Sequence, residues 1–152
     1  MKICSIKFMG ACVFSALLVS PALAADNCSG TWNNVVSSSS TFEVAKGHTI
    51  TSWVYNTISR SADSPLNSAG ECSGYSITTP DGKSQMAGGC VRKALDGTTY
   101  TETWEMAPGA DKGTWKYTGV SGKNAALNAS GWWQMSSFEG KVAYGVWGGT
   151  CK

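Results

Sequence analysis

The stretch Thr99-Tyr100-Thr101-Glu102-Thr103-Trp104-Glu105-Met106 decides the fold. Tyr100, Trp104 and Met106 alternate with Thr99, Thr101, Thr103 and Glu105. A period of two is the mark of a strand with one buried face and one wet face. Glu102 falls among the aromatic residues and so points the wrong way for a carboxylate. Outward along the chain, Trp115 and Tyr117 oppose Thr114, Lys116 and Thr118, and Leu127, Ala129, Gly131, Trp133 and Met135 share one face. Val142, Tyr144 and Val146 are read as completing that face. A sheet with one aromatic side must bury it, and helical periodicity is nowhere sustained, so the sheet must close on itself or pack on a second sheet.

Short segments rich in Thr, Val, Ile, Trp and Tyr recur between Gly-containing turns along the rest of the chain, the pattern of an antiparallel all-β domain. The segments fall at 30–36, 41–45, 48–59, 71–79, 84–93, 98–106, 113–118, 127–138 and 142–150, eight or nine strands in all. Ser37 to Ser40 reads as a turn, and Ser61 to Gly70 as the longest irregular link. Pro80-Asp81-Gly82, Asp96-Gly97 and Pro108-Gly109 mark hairpins, because such residues tolerate tight-turn geometry.

Composition fits this class: of 152 residues, 18 are Gly, 7 Trp and 6 Cys, and only 14% are charged. Residues 1–24 have the order of an export signal: Lys2 and Lys7, an apolar run from Phe8 to Val19, and Ala22-Leu23-Ala24 as the cleavage site. The run is too short to span a bilayer. Cys12 precedes most of the run, the wrong order for a lipidated cysteine. One domain, 25–152, is expected to remain, with a periplasmic or secreted location. Removing Lys2 and Lys7 takes the formal charge from +2 to zero, with ten basic residues against ten acidic. The basic residues are scattered, so nucleic acid is not an expected partner, and no later segment is apolar enough for a membrane span.

Four cysteines stay with the domain: Cys28, Cys72, Cys90 and Cys151. An even number in an oxidising compartment implies two disulfides, which can be paired in three ways. Zinc is disfavoured, since no C-x-x-C occurs and His48 is the single histidine. Cys72 and Cys90 lie symmetrically about the Pro80-Asp81-Gly82 turn, which sets them opposite each other on a hairpin. Cys28 and Cys151 then pair by elimination, tying first strand to last, neighbours when a sheet closes into a barrel.

Gly-Thr-Trp-Lys-Tyr-Thr-Gly-Val-Ser-Gly-Lys (113–123) resembles the G-T-x-x-[FY]-x-G-x-x-G-K element of proteins similar to allene oxide cyclases and dirigent proteins. Gly70-Glu71-Cys72, Asp81-Gly82-Lys83, Gly89-Cys90 and Asp96-Gly97 followed by Trp104 give a closer likeness to exported bacterial proteins of uncharacterised role. The resemblance spans about Gly70 to Gly131. It implies a single small antiparallel up-and-down β-barrel of about eight strands, and an assembly of several copies, since barrels of this kind often form trimers. Cyclases of the family act on strained oxylipin epoxides, and dirigent proteins steer radical coupling of phenols, both inside the barrel. Their acidic and tyrosine positions find no match here, so no catalytic residue is carried over.

The residues themselves nominate Tyr100, Glu102, Trp104, Trp115, Tyr117 and Trp133 as an interior ligand site, because they alternate onto one face. Glu102 is the candidate proton donor, since a carboxyl among indoles is desolvated and its pKa rises; a place at the barrel mouth, or a bond to a lysine or arginine, would make it structural. His48 reads as an ordinary turn histidine. Trp132 is expected to face outward, as a patch for self-association or a partner, and Trp147 is unassigned. Three functions follow. The first is a barrel holding a small apolar or aromatic ligand, with no cofactor, no metal and no defined reaction. The second is a cyclase or isomerase using Glu102, and the third an interaction or inhibitor protein acting through Ser61 to Gly70 and Val120 to Ala126.

Overall fold

The computed structural model describes residues 27–62 and 66–152. The segment read as an export signal and Asp63-Ser64-Pro65 lie outside the described residues. Eight strands follow in chain order: β1 (Cys28–Ala45), β2 (His48–Ser61), β3 (Ser68–Thr78), β4 (Ser84–Ala94), β5 (Thr99–Met106), β6 (Gly113–Ser121), β7 (Ala129–Glu139) and β8 (Val142–Cys151). Each pairs antiparallel with the next, and β8 returns to β1, closing an up-and-down barrel. Six of the seven connections carry a glycine at positive φ, including Gly82 and Gly97 of the sequence-predicted turns. Left-handed geometry there costs glycine nothing.

Ser37 to Ser40 is not a turn. Segments 30–36 and 41–45 are one strand, with a register shift between Val36 and Ser38. Ser39 and Ser40 stay laddered to Trp53 and Ser52, and Ser37 Oγ donates to the Val54 carbonyl at 2.9 Å. A run of serines has turn chemistry alone, yet β2 supplies a continuous template that holds it extended. The Ser61 to Gly70 link is likewise shorter than its sequence suggests. β3 begins at Ser68, Asn67 Oδ1 accepts from the Ser61 N–H at 2.8 Å, and Leu66 tucks into the core.

The disulfides are Cys28–Cys151 and Cys72–Cys90. Cys72 and Cys90 sit directly opposite each other in the β3–β4 ladder. Cys28–Cys151 crosses the closing seam, where the Asn27 side chain both donates to the Cys151 carbonyl (3.0 Å) and accepts its N–H (2.7 Å).

The core is a set of indoles seated over glycines. A Cβ at Gly88 or Gly74 would collide with Trp104, and one at Gly145 with Trp32. Large side chains opposite none at all is how a narrow barrel fills without strain. This seating corrects the expectation for β8. Val142, Tyr144 and Val146 face solvent, whereas Ala143 and Trp147 are buried inside. Gly145 must lie inward beneath Trp32, and with a period of two its neighbours then cannot.

Candidate functional site

One end of the barrel is plugged. Leu66, Ala94, Thr98, Tyr100 and Ala129 are buried there, Thr98 and Tyr100 completely. Asn124, in the β6–β7 connection, ties that floor together by donating to Asp96 Oδ2 (2.7 Å) and Thr98 Oγ1 (3.2 Å). Toward the other end the interior opens into a cavity of about 540 Å³, whose mouth lies among Ser38, Trp53, Met86, Phe138 and Lys141. That volume falls in the range of small-molecule sites.

Two kinds of wall line it. One is aromatic: Trp133 stands edge-on to Trp32 (centroids 6.3 Å) and to Trp104 (6.0 Å), and Trp115 edge-on to Trp147 (5.7 Å). Edge-to-face geometry aims the positive ring edge at the neighbour's negative face. The indole N–H groups are spent on backbone carbonyls of adjoining strands: Trp32 to Val146, Trp147 to Thr31, Trp115 to Trp132 and Trp133 to Thr114, all at 3.1–3.3 Å. These four side chains therefore present mostly hydrocarbon to the lumen.

The other wall is polar. Arg92 on β4 forms a hydrogen-bonded ion pair with Glu102 on β5, both almost wholly buried. Burial pushes the Glu102 carboxyl above the ordinary carboxylate range, and the Arg92 guanidinium offsets part of that rise. Tyr55 and Tyr117 flank the pair, and burial raises both phenols well above their ordinary value. Beside it lies the Cys72–Cys90 disulfide, since Cys90 pairs across the ladder with Glu102. Three buried polar atoms of the cavity-lining residues meet no hydrogen-bond partner among the described residues: Arg92 Nε, Asn34 Oδ1 and Trp104 Nε1.

No protein-family model matches the chain, and no curated protein matches it in sequence. Among solved structures, that of a pterocarpan synthase dirigent protein superposes with a TM-score of 0.51 at 10% identity, covering 81% of this chain and 86% of that one. The chain has a dirigent-like barrel fold.

Within this dirigent-like barrel, Glu102, Trp104, Trp115, Tyr117 and Trp133 line the cavity together. Tyr100 does not. It is sealed into the floor, stacked on Tyr117 with centroids 4.9 Å apart. Tyr100 shares the inward face of β5 but lies two residues nearer the closed end than Glu102; the register against β6 slips by one residue between Thr101 and Glu102, so Tyr100 faces Val120 while Glu102 faces Tyr117. Trp147 proves interior, and Trp132 faces outward, half-buried, with the Lys112 ammonium 3.9 Å above its ring. His48 opens β2 in the β1–β2 hairpin and is absent from the cavity wall.

Arg92, Tyr55, Trp32 and Asn34 also line the cavity, although nothing in their own strand patterns singles them out as site residues. Arg92 had a usable signal. An inward Cys90, required by its disulfide, puts the residue two positions on along the same face. Tyr55 had no such signal, since only the β2–β3 register sets it opposite Cys72.

Proposed function

We propose that this barrel binds one small apolar or aromatic molecule in its interior, as an exported ligand-binding or substrate-guiding protein. The observation that carries the reading is an aromatic cavity of about 540 Å³, open at one end and holding a single buried Arg92–Glu102 pair against one wall. Apolar burial against indole rings supplies affinity, and a small number of fixed polar groups supplies orientation. Glu102 works here as an orienting group, because its carboxyl is held by Arg92. The dirigent-like fold supports a substrate-guiding barrel, since the superposing dirigent protein is a pterocarpan synthase.

The test uses N-phenyl-1-naphthylamine, a neutral probe that brightens in apolar surroundings, with native mass spectrometry of the protein purified from its source. One probe per barrel, with tryptophan emission transferred to it, is expected. A barrel that neither binds the probe nor carries any co-purifying molecule overturns the proposal. Glu102→Gln should keep the probe bound, which separates binding from proton chemistry.

A further inference from the structure

We propose that the ligand carries a neutral oxygen acceptor, such as a ketone or aldehyde conjugated to its ring, which takes a hydrogen bond from Arg92 at the polar wall. The inference rests on the interior-binding reading and adds the ligand's chemistry. Three observations carry it. First, Arg92 lines the cavity and is almost wholly buried, yet its Nε–H meets no acceptor of the described chain. A buried donor left unmet is costly, so an acceptor delivered there gains more than the same group would in water. Second, Nη2 of the same guanidinium is already bound to Glu102. The pair is neutral as a whole, and an anionic ligand would bring a second negative charge to a cation that Glu102 already balances. Burying that unbalanced charge is expensive. Third, the wall immediately about the pair is phenol, indole and disulfide, with no second cation: Lys141, the other basic residue lining the cavity, lies at the mouth.

Arg92 pairs in the β-ladder with Gly70 on one side, which has no side chain to project inward, and Thr57 follows on β2. Nε is itself buried, so the acceptor meets it as the guanidinium turns toward the lumen, with the ring against Trp104 and Trp133.

Three probes of one shape test this on the full chain by calorimetric titration: 2-acetylnaphthalene, 2-ethylnaphthalene and 2-naphthoate. The ketone is expected to bind roughly tenfold tighter than the hydrocarbon, as a hydrogen bond to a charged donor warrants, and the carboxylate more weakly than either. Arg92→Lys keeps a cation opposite Glu102 but lacks the second donor of the planar fork, and should bring the ketone-to-hydrocarbon ratio down to about two or less. Equal binding of ketone and hydrocarbon by the unaltered protein overturns the inference while leaving the interior-binding reading intact. Tightest binding of 2-naphthoate overturns the neutral class and points to an anion site. Failure of all three to bind overturns the interior-binding reading itself.

Discussion

The β7–β8 hairpin is held to the rest of the barrel along two seams that differ in construction. On the β8 side the ladder to β1 runs for eight residue pairs, from Cys28↔Gly149 to Val35↔Val142, and ends in the Cys28–Cys151 disulfide. On the β7 side the ladder to β6 has only four, from Gly113↔Trp133 to Lys116↔Ser130. Both carry two indole N–H groups that donate across the seam to backbone carbonyls, those of Trp32 and Trp147 on one and those of Trp115 and Trp133 on the other. The covalently closed seam thus has a redundant clasp. Tryptophans of both seams line the cavity, but only at the short seam do they stand without a disulfide or a long ladder, so there ligand binding and barrel closure depend on the same side chains.

The largest effect belongs to the closed seam. Cys28→Ser with Cys151→Ser removes a cross-link spanning a sequence separation of 123, and the loop-entropy account predicts a loss of about 4–5 kcal/mol. Denaturant unfolding should report it, and a loss near zero would show that the eight-pair ladder suffices. Trp115→Phe with Trp133→Phe removes two hydrogen bonds, about 2 kcal/mol together, and Trp32→Phe with Trp147→Phe should cost about the same. The two double variants are expected to part in hydrogen exchange. Amides of Ser130 to Trp133 should open in the first, whereas those of β1 stay protected in the second; equal exchange at both seams would erase the proposed contrast.

The smallest effect at ordinary pH comes from the phenols. Burial holds Tyr55 and Tyr117 protonated above the ordinary value of 10.0. In the unfolded chain they ionise near that value, so the folded state binds more protons. Stability is then full below about pH 10 and falls as pH rises beyond it. Tyrosinate absorbance followed against pH should lag until the barrel opens. Tyr117 lies one residue past the last rung of the short seam, so Tyr55→Phe and Tyr117→Phe variants should show Tyr117 ionising first. Simultaneous ionisation would mean that the barrel opens as one unit.

Much of this barrel is legible along the chain because a strand's period of two is a local property. Alternation in β5, β6 and β7 puts Trp104, Trp115, Tyr117 and Trp133 on one face, and each is interior. The same rule misled in β8, where two equally regular alternations exist, Val142-Tyr144-Val146 and Ala143-Gly145-Trp147. Hydrophobicity favours the first. Packing selects the second, because Trp32 needs a residue without a side chain beneath it, and only the partner strand reveals that need. The site divides in the same way. Glu102 is conspicuous in its own strand, but Arg92 sits in another, and their meeting depends on the β4–β5 register.

From the sequence alone come strand content, turns, the four-cysteine framework and the aromatic side of the sheet, since each is written in neighbours two residues apart or in residue chemistry. Tertiary structure decided the facing of β8, the floor that removes Tyr100 from the cavity, and the neutral Arg92–Glu102 wall. Those depend on register, on which end of the barrel is filled, and on which glycine lies under which indole, all of which are relations between strands that exist only once the barrel has closed.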